Sequence, residues 1–348
     1  MQLKSFLLAL PMFASTHFSV AQLIPASPPI ADPADKRFER VQEDLTSPGL
    51  STSTLVAALP IVAYLNEDPT YTVELIQLQW RFGDPIDLYV MKPKGVAHPA
   101  PILYLYGYPA DTDRFKDPAF QQKVTKDGFA AVGFVSALTG HRYHDRPMRQ
   151  WFLSELQESL ATSAHDVQMV VSYLETRGDL DMSRVGMFAQ GSSASIAILA
   201  AAVDPRIKVL DVLDPWGDWP TWMAHSAFVP DDERPAYVKP EFLRKVAPLE
   251  PVDWMRKLKA QQFRLEDALF ESNTPAAAKE KIRAAVPAGT TIAIYKTPDE
   301  FNAMVRSGKE LEWIEQALGP MSRAPAASDT KSDPDRDIPA QQESVRLQ

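Results

Sequence analysis

The stretch from Arg184 to Ala200 constrains this chain more than any other. It reads Arg-Val-Gly-Met-Phe-Ala-Gln-Gly-Ser-Ser-Ala-Ser-Ile-Ala-Ile-Leu-Ala: a short apolar strand, a turn of tiny residues, and a helix that begins at once. A strand that turns so sharply into a helix holds one side chain at the top of a parallel sheet, the layout of a nucleophile elbow. The helix start behind it presents backbone N–H groups and a positive dipole end, which suits an oxyanion. In the small-x-nucleophile-x-small spacing, Ala189 and Ser193 are the small residues. The attacking position then falls on Gly191, which has no side chain to attack with.

The segments around this turn predict a mostly parallel, doubly wound α/β sheet. Tyr71–Trp80 and Ile86–Pro93 alternate as an antiparallel hairpin about Gly83-Asp84. Pro101–Tyr108, Phe129–Ser136 and Lys208–Asp214 are buried strands, and Phe263–Phe270 and Thr290–Tyr295 are the last two. Helical spacing runs from Trp151 to Thr176 and stops at Gly178; Ala276–Val286 and Leu311–Leu318 are further helices. The Trp- and Pro-rich segment at about 216–260 is a cap insertion. We divide the chain into a leader (1–21), a Pro-rich arm (22–60), the α/β domain (61–320) and a polar tail (321–348) too poor in apolar residues to order itself.

Composition narrows the partners. A net charge of −9 without a long basic run argues against nucleic acid. Lys4, the apolar run Phe6–Ala14 and the small-x-small site Ser19-Val20-Ala21 read as an export signal cleaved near Ala21, so the protein is expected in the periplasm or the medium. That run is too short for a membrane span, and no later one is long enough. With no cysteine, a thiol nucleophile or thiolate metal site is impossible.

The run Arg177-Gly178-Asp179-Leu180-Asp181-Met182-Ser183-Arg184-Val185-Gly186-Met187-Phe188, with Ala200-Ala201-Ala202-Val203-Asp204-Pro205-Arg206-Ile207-Lys208 beyond the turn, resembles secreted bacterial members of the α/β-hydrolase superfamily in its dienelactone-hydrolase-like and prolyl-oligopeptidase-like branch. The resemblance covers roughly Tyr71 to Pro320. It implies an ester- or peptide-cleaving fold with Ser at the elbow, an acid after the seventh strand and His after the eighth. Carried over residue by residue, those positions are Gly191, Glu271 and Asp299, and no histidine occurs after His225. The Tyr106-Gly107-Tyr108 turn stands where the branch has an oxyanion-hole turn.

A degenerate triad is therefore expected, in a pseudoenzyme that binds a small-molecule or peptide ligand without cofactor or metal. Two alternatives stay open. A displaced nucleophile would be Ser192, nearest the usual position, or Ser193, through Gly191-x-Ser193-x-Ser195, served by His141, His144 or His225. A metal-dependent hydrolase would use His141, His144 and His165. Trp216 and Trp219 suit a pocket wall and the packing of a cap equally; His225 is expected to pack in the cap and His98 to lie in a surface loop.

Overall fold

The computed structural model describes residues 41–105, 113–134 and 148–321. Its sheet has nine strands: β1 (Ile61–Glu67), β2 (Tyr71–Gln79), β3 (Pro85–Pro93), β4 (Pro101–Leu105), β5 (Ala130–Phe134), β6 (Val185–Gln190), β7 (Ile207–Leu213), β8 (Gln262–Ala268) and β9 (Thr291–Tyr295). They lie in the order β1-β2-β3-β5-β4-β6-β7-β8-β9. The pairs from β1 to β5 are antiparallel, and those from β5 through β4 to β9 are parallel. This is the expected α/β class with its N-terminal hairpin.

The helices are α1 (Asp113–Lys116), α2 (Pro118–Thr125), α3 (Met148–Ser154), α4 (Leu156–Arg177), α5 (Ser192–Val203), α6 (Trp219–His225), α7 (Arg234–Tyr237), α8 (Pro240–Val246), α9 (Pro251–Met255), α10 (Ala276–Ala285), α11 (Pro298–Arg306) and α12 (Glu312–Leu318). The central strands are buried on both faces, so alternate residues feed two cores. Leu103, Leu105, Val132 and Met187 pack with α4, α5 and the helices between β7 and β8. Ile102, Tyr104, Ala131 and Phe188 pack with α2 and α12 on the other face.

Three elements differ from the sequence reading. β1 is a strand where none was expected: all seven residues are exposed, so neither face carries a burial pattern. The helix expected from Trp151 onward is two, divided at Glu155, whose φ of −112° and ψ of 35° are not helical. α11 follows β9 almost directly where a loop was expected. Gly178 does end α4, in the left-handed conformation at φ 72°. No helix among the described residues is long and apolar enough to cross a membrane.

Residues before β1 are fastened to the domain by a buried network. Arg81 joins Glu43 at 2.5 Å and Asp166 at 2.6 Å, and Trp80 Nε1 donates to Asp166 at 2.9 Å. The ring of His165 meets Glu43 Oε1 through Nδ1 at 2.6 Å and the Ser47 carbonyl through Nε2 at 2.9 Å. Burial alone would raise the Glu43 carboxyl, but hydrogen bonds from Arg81 and His165 outweigh it and hold it below its ordinary value.

Candidate active site

Gly191 forms the bend between β6 and α5, with φ 58° and ψ −126°. Its N–H donates to the Leu213 carbonyl at 2.9 Å, and its own carbonyl accepts from Ala194 N at 3.1 Å. Side-chain-bearing residues rarely adopt this φ, whereas glycine does so readily. A Cβ built at Gly191 would meet only Trp216 Nε1, at 3.8 Å. Close packing rules one out elsewhere: at Gly133 it would lie 2.1 Å from the Phe115 ring. Thus at Gly191 the backbone conformation favours glycine while the space does not demand it.

Gly191 opens into a cleft of about 210 Å³. Gln190, Asp214, Glu271 and Asn273 supply its polar lining, and Trp216, Phe270 and Phe301 its rings. Asp214 ends β7 in a left-handed conformation, φ 50°, which its N–H secures by donating to the Glu266 carbonyl at 2.8 Å. Its carboxylate pairs with the buried Lys279, which also donates to the Ala268 carbonyl at 2.5 Å. Burial pushes the Asp214 carboxyl up to about 7; Lys279 opposes this, while Asp267 and Glu271 add to it. Sequence reasoning did not single out Asp214. The available signal was an acid at the C-terminal end of a buried strand, the edge where open α/β sheets bind ligands.

Glu271 stands at the exposed mouth of the cleft. Its N–H donates to the Ala268 carbonyl at 3.0 Å, and its carboxylate makes no hydrogen bond or ion pair among the described residues. Trp216 is buried yet lines the cleft, with Nε1 its atom nearest a Cβ placed at Gly191. Its ring packs against Trp222 and Phe228, both with centroids at 4.7 Å. Ser195 Oγ holds the Trp216 backbone, donating to its carbonyl at 2.7 Å and accepting from its N–H at 3.0 Å. Trp219 is no part of this wall: it is buried at the start of α6 and donates to the Leu249 carbonyl at 3.1 Å.

The other expected residues are dispersed. Ser192 and Ser193 lie in the first turn of α5 at 1% and 0% exposure, and neither lines the cleft. Asp299 sits exposed in the first turn of α11, away from the cleft lining. The segment read as a histidine loop is a helix cap. Thr297 Oγ1 accepts from Glu300 N at 3.2 Å, and Glu300 Oε2 accepts from Lys296 N at 2.6 Å. Thr-Pro-Asp-Glu spells a helix start, with Thr at the cap, Pro in the first turn and acids behind it, so the signal was present in the sequence; Glu300 reaches the N–H before the cap residue rather than that of Thr297. The residue this segment delivers to the cleft is Phe301.

No histidine lines the cleft among the described residues. Both ring nitrogens of His165 are engaged with the arm, so the ring is not available as a metal ligand or as a base. That removes it from the His141, His144 and His165 set, and no group of three potential metal ligands occurs among the described residues. His225 does not pack in the cap as expected: it is exposed at the end of α6, which leaves its polar ring in water. His98 is exposed, as a loop residue should be. His141, His144, Tyr106, Gly107 and Tyr108 lie outside the described residues.

Solved structures similar to this one include esterases and peptidases. An acetyl xylan esterase from Paenibacillus sp. R4 superposes with a TM-score of 0.56 at 17% identity, over 76% of this chain and 90% of that one. Acetyl xylan esterase 1 from Thermoanaerobacterium sp. gives 0.56 at 13% identity, over 79% and 97%. The acylaminoacyl peptidase of Pyrococcus horikoshii gives 0.54 at 13% identity, over 78% and 52%. No family model matches the sequence, and no curated protein does. The chain has the α/β-hydrolase fold. With β1 added at the sheet edge, the seventh and eighth strands implied by the resemblance are β8 and β9. Glu271 does follow β8, whereas after β9 only Lys296 and Thr297 precede a helix.

Proposed function

We propose that this α/β-hydrolase-fold chain holds a small molecule or the end of a peptide in the cleft beside Gly191, and does not cleave it through a Ser-His-acid relay. The observation that carries this reading is the bend itself. It has the strained backbone of an elbow and free space for a side chain, and it carries none. A relay also needs a base able to take a hydroxyl proton near neutral pH. The described lining offers carboxylates, and an ordinary carboxylate, of pKa about 4, is a weak base for that task. Asp214 has a raised pKa, but its carboxylate is already paired with Lys279. The burial of Ser192 and Ser193 weighs against a displaced nucleophile.

The test is a purified full chain offered p-nitrophenyl acetate and a fluorophosphonate probe. No turnover above buffer and no covalent label are expected. Turnover or labelling that Ser192→Ala or Ser193→Ala abolishes would overturn the reading. Export is a separate part of the proposal, resting on the leader sequence alone. A mature protein beginning at Gln22, read by mass spectrometry of the secreted fraction, is its expected signature.

A further inference from the structure

We propose that the cleft takes a small organic cation: a protonated or quaternary amine carried on an apolar body. The inference rests on the reading of the cleft as a ligand site and adds the ligand's charge and size. A volume of about 210 Å³ lies below the range typical of drug-sized ligands, so the part of the guest held inside the cleft is small. Among the described residues the lining has two carboxylates, Asp214 and Glu271, and no lysine, arginine or histidine. The two acids are not equivalent. Lys279 already compensates Asp214, whereas the Glu271 carboxylate has no counter-ion among the described residues. A charge left open at the mouth of a cleft attracts an opposite charge on entry.

The walls favour the same sign. Trp216, Phe270 and Phe301 line the space; Trp216 is buried, so the half-buried Phe270 and Phe301 supply the open aromatic surface, their centroids 6.2 Å apart and inclined at 53°. Ring faces carry the negative part of the aromatic quadrupole and attract ammonium groups, most strongly where water is displaced. An anion would meet both the rings and Glu271 unfavourably. A neutral guest of the same shape would gain only apolar contact.

Three shape-matched probes separate these cases: choline, its neutral isostere 3,3-dimethylbutan-1-ol, and the anion 3,3-dimethylbutanoate. Each is titrated into the full chain, with binding read by tryptophan fluorescence and calorimetry. Choline is expected to bind saturably and at least tenfold more tightly than the alcohol, with the anion weakest. Glu271→Gln, at an exposed position, is expected to weaken choline severalfold and leave the alcohol unchanged. Phe301→Leu should weaken choline more than the alcohol. Equal or tighter binding of the alcohol or the anion would overturn the charge assignment while leaving the ligand-site reading intact. Absence of saturable choline binding would overturn it as well. The hydrolysis assay, which does not depend on these probes, decides the relay question separately.

Discussion

Two places in this molecule hold the residue types of catalysis, and they are built in opposite ways. Around Arg81, the carboxylates of Glu43 and Asp166 and the imidazole of His165 lie within hydrogen-bonding distance of defined partners. At Gly191 a strained bend opens into a cleft lined by the paired carboxylate of Asp214 and the unpaired one of Glu271. The first place has acid–base groups and no room; the second has room and no imidazole among the described residues. Residue type alone therefore does not locate a site. What distinguishes the two is whether partners inside the fold have already used the polar atoms.

The largest expected effect comes from breaking the filled network. Arg81→Ala leaves the buried carboxylate of Asp166 and the half-buried one of Glu43 without their shared cation, and breaking such a pair typically costs about 3–5 kcal/mol. Urea unfolding should show that loss, and a change below about 1 kcal/mol would mean that water replaces the guanidinium. Next in size is the contrast between two glycines. Gly133→Ala drives a methyl into the Phe115 ring and should cost about 1–3 kcal/mol or more. At Gly191→Ser the added Cβ makes only an ordinary contact with Trp216 Nε1, so the backbone strain should dominate, of order 1 kcal/mol. Gly191→Ser is also expected to gain no esterase activity, because the described lining of the cleft holds no imidazole. Hydrolysis by that single variant would erase the difference between the two places.

The smallest effect is on the acid side of the stability curve. Glu43 has its pKa lowered by folding, so its contribution is fully present above the unfolded value of about 4.5 and fades as pH falls through the folded value. Glu43→Gln should therefore flatten the loss of stability below that pH and leave the neutral region lower by a constant amount. An unchanged acid limb in thermal melts would show that the carboxylate is not coupled to folding.

Much of this was legible in the sequence, for reasons that also explain what was not. The bend at Gly191 could be read because a strand, tiny residues and a helix follow one another with no spacer. The hairpin of β2 and β3 could be read from alternation. β1 was hidden because an edge strand exposed on both faces writes no apolar period. Asp299 was misplaced because the resemblance proposed a loop there, although Thr297 and Glu300 spell a helix start. Asp214 was missed because its importance comes from Lys279, sixty-five residues away, and only the fold brings the two together. His165 carried no mark of its role because its partners, Glu43 and Ser47, come from the arm.

The two-residue joint between β9 and α11 bears on how such a protein could change. On the proposed reading, the simplest attempt to install a relay would replace side chains at the positions the resemblance points to. Here the polypeptide after the last strand is committed to a helix from Pro298 onward, and its first turn is locked by side chain and backbone together. Of that helix it is Phe301 that reaches the cleft, while Asp299, in the first turn, faces solvent away from it. A double replacement such as Gly191→Ser with Asp299→His should therefore stay silent. Position 301, fixed by the locked turn, is the one from which this segment addresses the bend.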